Sequence, residues 1–285
     1  NVAVGTRAAT NTTTSAQGVT VVGTDALFTN TTGDDLVAMG RAALYYNSTG
    51  AHNVAVGRSA LQANTTASDN TAVGYLASTS NVTGAGTTAV GAQAAQNNTA
   101  NYTTAFGYRA AEQNTSGTAT TALGMESLVS NTRGANNTGV GYRAGYNITT
   151  GASNTAIGRT AGLALTTGNS NTFVGEGSGV AATTSDNNTF VGQNSGVAVT
   201  TGNRNTVVGR GAAASLQDGS DNVAIGDSIT VGASLGNSIT IGSGISATGS
   251  NDFSFGKASN VVTNDFDADA NWSRSSDERL KKNIS

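Results

Sequence analysis

From Asn1 to about residue 258 a short apolar run ending in glycine returns at a nearly constant interval. The glycines are Gly5, Gly23, Gly40, Gly57, Gly74, Gly91, Gly107, Gly124, Gly141, Gly158, Gly175, Gly192, Gly209, Gly226, Gly242 and Gly256. Eleven of the fifteen intervals are 17 residues; the others are 18, 16, 16 and 14. The residue before each glycine is Val, Ile, Leu, Met or Phe, and the one before that is most often Ala. Three before the glycine stands Thr or an apolar residue. A run such as Thr-Ala-Val is β-prone and too short for a helix. Successive side chains of a strand point to opposite faces, so two consecutive apolar positions predict a strand buried on both sides. The glycine predicts a turn at the strand end, where it supplies a backbone angle other residues resist. Three residues past it the first thirteen copies carry only Ala or Ser, from Ala8 to Ala212, which predicts close packing. The Asn, Thr and Gly that follow are turn formers.

Seventeen residues accommodate two short strands and two turns. Stacked at about 4.8 Å per coil, they predict an all-β parallel solenoid of about 16 coils, roughly 70 Å long. Its thin interior takes one strand face. The second apolar face requires a partner, for which another copy of the chain is the simplest, so an elongated homo-oligomer is expected. Residues 1–258 form the repeat shaft. From 227 the register slips, with an additional "ITVG" at 229–232, and 259–274 reads as a linker containing Asp265, Asp267, Asp269 and the sole tryptophan, Trp272. Alternating aspartates suit calcium, but the glycine and distal glutamate of an EF-hand loop are lacking, so a solvated linker is preferred. Trp272 suits either packing between copies, the preferred reading, or stacking on a sugar.

Composition narrows the function. The chain has 285 residues, no cysteine and one histidine, His52. Disulfide frameworks, thiolate metal sites and a histidine cluster within one chain are thereby excluded. A net charge of −3 argues against nucleic-acid binding. No run of about 18 apolar residues predicts a membrane span, and no signal peptide is visible. No cofactor is expected. The opening "NVAVG" starts inside the pattern, which suggests a fragment of a longer protein.

Several columns carry candidate chemistry. Asn stands four before the glycine in nine copies, predicting an amide ladder along the axis. Thr recurs three before it, a pattern some ice-binding solenoids use, although Val and Ile at the same position point to burial. Asn-x-Ser/Thr sequons fall seven past the glycine at Asn30, Asn47, Asn64, Asn81 and Asn114, and six past it at Asn11, Asn97 and Asn147. They are possible glycosylation sites in a glycosylating host; turn chemistry is the preferred reading. Tyr108, Arg109, Tyr142 and Arg143, with Tyr45, Tyr46 and Tyr146, read either as solvated surface or as contacts to glycans. Glycosidase action needs two carboxylates a few ångströms apart, and Asp34, Asp35 and Glu112 form no such constellation.

The repeats "NTAVGYLAS", "TTAVGAQAA", "NTAIGRTAG" and "NVAIGDS" resemble the head repeats of trimeric autotransporter adhesins, and equally the Asn-Thr-Ala-Val-Gly repeats of phage tail-fibre and tailspike proteins. Over residues 1–258 this resemblance implies a left-handed β-roll in a fibrous homotrimer. The terminal "SSDERLKKNIS" resembles the opening of the intramolecular chaperone domain of phage endosialidases and tail fibres, whose Ser-Asp-x-Arg-x-Lys stretch falls on Ser276, Asp277, Arg279 and Lys281. That domain assembles the trimer and then cuts itself away. By the resemblance, residues 275–285 are the start of a truncated chaperone, Ser276 is its nucleophile and Lys281 assists it, as a desolvated lysine is able to. Together these readings imply a structural, adhesive extracellular fibre of a virion tail, touching cell-surface glycans or proteins. The alternative is a bacterial trimeric surface adhesin or filament; a glycan-cleaving enzyme is disfavoured.

Overall fold

The structure, a computed structural model, describes residues 1–13 and 15–267. Seventeen strands, β1 (Val2–Val4) to β17 (Asn260–Asp265), form one sheet. From β1 to β16 (Asp252–Lys257) successive strands pair in parallel, the last such pair being β15 with β16, which makes a parallel β-solenoid of about fifteen turns. Register is kept position for position: Thr155, Ala156 and Ile157 of β10 (Thr155–Ile157) face Thr172, Phe173 and Val174 of β11 (Thr172–Val174).

Each regular coil holds one three-residue strand, where two strands were expected. The remainder of the coil is turn, and it too stacks by backbone hydrogen bonds. Leu27 N–H donates to Ala43 C=O at 2.9 Å, and Thr31 N–H to Ser48 C=O at 2.8 Å. The second strand is missing because three non-adjacent positions of the coil are left-handed. In the coil that begins at Gly40 these are Ala42 (φ 58°), Leu44 (φ 50°) and His52 (φ 56°). Such angles break the extended run a strand needs. They cost energy for a residue with a side chain, roughly 1 kcal/mol or more each, and stacking against identical turns above and below holds them.

The repeat glycine does what its position predicted. Gly158 has φ +130°, and a Cβ there would lie 2.5 Å from the Gly175 carbonyl oxygen of the next coil. The backbones of successive coils are therefore in contact at this corner.

Within the strand only the middle residue points inward. Ala156 is 1 % exposed and Ile157 38 %. The Ala/Ser row from Ala26 to Ala212 is also interior to the single coil, so the close packing it predicts is within the coil's own core. The interior is filled by compensation across the cross-section. Where the strand centre is Ala38 or Ala55, the left-handed position opposite is filled by Leu44 or Leu61. Where it is Phe173 or Phe190, that position is Gly162, Gly179 or Gly196, and a Cβ on any of these would meet a phenyl carbon at 2.6–2.8 Å. The two rings stack at 5.2 Å. In these coils bulk absent on one side of the interior is supplied from the other, as close packing requires.

Polar filling follows a similar exchange. From Asn30 to Asn131 a buried asparagine sits seven past each glycine. From Ile148 to Leu216 that column turns aliphatic, and the buried amides run four before the glycine, through Asn137, Asn154, Asn171, Asn188, Asn205 and Asn222; Asn53 and Asn70 already occupy this second column in the coils of Asn64 and Asn81. From Asn137 to Asn222 each Oδ1 accepts from the next coil's backbone N–H, as Asn171 Oδ1 does from Asn188 N–H at 3.0 Å. Each Nδ2 donates to a turn carbonyl, as Asn171 does to Ser185 C=O at 2.7 Å. Buried amides are thus largely satisfied along the axis.

The parallel stack ends in a hairpin. β16 pairs in parallel with β15 (Ile239–Ser243) and antiparallel with β17. The expected linker from 259 therefore begins as a strand, Asn260–Asp265, before the described residues end.

Candidate interaction surfaces

Two surfaces stand out. The first is the outward strand face. Its column immediately before the glycine runs Val4, Val22, Met39, Val56, Val73, Val90, Phe106, Leu123, Val140, Ile157, Val174, Val191, Val208, Ile225, Ile241 and Phe255. Every rung is apolar, and ten of these side chains are substantially exposed, from Val4 to Phe255. Beside it, two residues earlier, runs a half-exposed column of Thr and Val, including Thr71, Thr88 and Thr155. The β-period of two puts both columns on the same side. The chain therefore buries one face of each strand and leaves the apolar column of the other at the surface.

The second surface lies just past the glycine turn, on the three coils that begin at Gly107, Gly124 and Gly141. Arg109 Nε reaches Glu112 Oε2 at 2.6 Å and its Nη1 reaches Glu126 Oε1 at 3.3 Å. Arg143 Nε reaches the other oxygen of Glu126 at 2.6 Å. Both carboxylates are only 9 % exposed. The bonds to Glu112 and Glu126 hold the guanidinium groups of Arg109 and Arg143 above their ordinary pKa. Arg143 also lies between two rings, 5.1 Å from the centre of Tyr142 and 5.2 Å from that of Tyr146. Arg109 lies 6.0 Å from the centre of Tyr108. The sequence grouped Tyr108, Arg109, Tyr142, Arg143 and Tyr146. It gave no sign of Glu126, which joins them because a coil places residues 17 apart in contact. Tyr45 and Tyr46 lie in an earlier coil, where Tyr45 stacks on Phe28 at 5.2 Å.

Among the sequon asparagines, Asn11 is exposed and Asn97 and Asn147 are half-buried. The sequon asparagines Asn30, Asn47, Asn64, Asn81 and Asn114 are all buried. Each donates its Nδ2, the atom a glycan would occupy, to the carbonyl three residues on, for example Asn47 to Gly50 at 2.9 Å. They face the coil interior and not solvent, as the turn reading requires. The Thr and Ser that follow them form a hydroxyl ladder, as in Thr31 Oγ1 to Ser48 C=O at 2.9 Å. Asp265 Oδ1 accepts from Asp267 N–H at 2.9 Å, closing a local turn. His52 bridges the carboxylates of Asp35 and Asp69 at 3.9 and 3.1 Å on the exposed surface. Asp269, Trp272, Ser276 and Lys281 lie outside the described residues. Comparison with protein-family models, curated proteins and solved structures finds no match to this chain, so its surfaces are read from their own chemistry.

Proposed function

We propose that the chain is the shaft of an extracellular fibre, in which three copies assemble through their outward strand faces. The carrying observation is the uninterrupted apolar column from Val4 to Phe255. Isolated exposed apolar residues are ordinary, but a contiguous stripe of this length marks an interaction surface. Covering the remaining exposed area of each rung contributes on the order of 1 kcal/mol. A few rungs would not outweigh the loss of free motion on association, about 4–15 kcal/mol, whereas sixteen would. A surface that repeats along one axis suits a partner with the same repeat, and the chain itself is that partner. The resemblance to tail-fibre repeats and to a chaperone junction at Ser276–Lys281 supports the phage-fibre version of this reading. In a chain that carries the chaperone domain, cleavage between Ser275 and Ser276 is expected, and Ser276→Ala should leave the chain uncut yet assembled.

The test separates assembly from folding. Native mass measurement should give three chains. Ile157→Lys should yield smaller species that retain β circular dichroism, because Ile157 is outside the coil. Ala156→Asp should abolish the fold itself, because it puts an unpaired charge in the core. The chain has no cysteine, so Ile157→Cys should form disulfide-linked copies under oxidation. A stable monomer of the unmodified chain ends the reading.

A further inference from the structure

The Arg–Glu–Tyr surface at the coils of Gly107, Gly124 and Gly141 is not explained by folding. The position two past the glycine is filled by Ala42, Ser59, Gly177 and Gly211 in other coils, and those coils close equally well. Here the same position holds Arg109, Glu126 and Arg143. Among the described residues this ion-pair network alone links acids and arginines over three coils; the remaining arginine pairs each join two. Two carboxylates have been brought to near burial in order to hold two guanidinium groups in place.

We infer that this surface binds a neutral, linear glycan lying along the solenoid axis, stacked on Tyr108 and Tyr142. Each ring has one side toward its arginine, and 46 % and 36 % of these residues remain exposed. They stand two coils apart, about 10 Å, which is close to the length of two pyranose units in an extended chain. Met125 occupies the rung between them. The apolar face of a pyranose stacks on an aromatic ring, and its hydroxyls accept hydrogen bonds from the guanidinium N–H groups of Arg109 and Arg143, which the two nearly buried carboxylates hold in place. Both kinds of group are here already oriented, so little side-chain freedom is lost on binding. The charge balance selects the ligand: two arginines are matched by two glutamates, so the surface has no net field to attract a polyanion.

This inference goes beyond the proposed function; the assembly of the shaft stands without it. It is tested by saturation-transfer NMR and titration calorimetry of the intact chain with neutral hexasaccharides of glucose, mannose and galactose, and with hexagalacturonate as the acidic counterpart. At least one neutral hexasaccharide should bind, weakly dependent on salt. Tyr108→Ala and Tyr142→Ala should each weaken it by about tenfold, with native mass and melting temperature unchanged. Tyr102→Ala, an exposed tyrosine at another position of the coil, should leave binding intact. The inference is overturned if no neutral hexasaccharide binds, if only the acidic one does, or if binding survives the Tyr108→Ala/Tyr142→Ala double substitution. A monomeric chain that binds would overturn the assembly reading and leave this one standing.

Discussion

At the scale of single residues, the solenoid is governed by a few atoms repeated many times. Asn171 shows how much one side chain does. Its Oδ1 accepts from both the backbone and side-chain nitrogens of Asn188, and its Nδ2 bridges Asn154 Oδ1 and Ser185 C=O. Asn171→Ala orphans groups in the coils on either side, each costing about 1–3 kcal/mol. The melting temperature should drop clearly. Asn171→Asp should be worse, since a carboxylate cannot donate to Ser185 C=O and would be buried unpaired. Glycines divide in the same way. Gly158→Ala drives a Cβ into the Gly175 carbonyl at a backbone angle alanine resists, and should prevent the coils from closing. Gly244→Ala has nothing within 4 Å and carries only the strain of φ +63°. Its cost should stay near 1 kcal/mol. Equal losses for the two in thermal melts would contradict the close backbone approach.

At the scale of the element, some coils exchange bulk between the strand centre and the turn opposite it. β12 (Thr189–Val191) and β11 bring Phe190 and Phe173 inward against glycines. β3 (Val37–Met39) and β4 (Val54–Val56) bring Ala38 and Ala55 inward against leucines. Phe173→Ala alone leaves a cavity and should cost about 3–5 kcal/mol. Gly179→Leu alone collides with Phe173 and also strains the backbone. Together they reproduce the arrangement of the earlier coils, so the double variant should be more stable than the sum of the single losses implies. Additive losses in denaturant titrations would argue that the two positions do not share one space.

At the scale of the whole molecule, each coil touches chiefly its two neighbours, so length should be modular. Deleting residues 155–171 joins Asn154 to Thr172 and restores an intact Asn-Thr-Phe-Val-Gly sequence. That chain should fold, shortened by about 5 Å, with its asparagine ladder continuous. An eight-residue deletion in the same place leaves half a coil, and every later side chain loses its partner above and below. Small-angle scattering and thermal melting of the two deletions should differ sharply. Similar tolerance of both would count against a stacked coil.

Much of this was legible in the residues before any coordinates. The interval of 17, the apolar run and the glycine determine an all-β parallel solenoid, because a period that constant permits only identical coils stacked in register. The ladder of Asn137 to Asn222 follows from the same period. What the sequence left open are properties of the cross-section. Leu44 and His52 occupy left-handed turns that Leu and His do not announce, so a second strand was expected where turns stand. The alanine row gave no sign of whether it faces a partner or its own coil, since small size suits both; the path of the turns puts it inside. Asn30 and Asn171 lie in different columns, and only the closed coil shows that both face the same interior. The same closure sets Glu126 between Arg109 and Arg143. A linear chain fixes which residues recur, but which of them meet across the coil is decided by the turns, whose angles depend on stacking that exists only once the neighbours have folded.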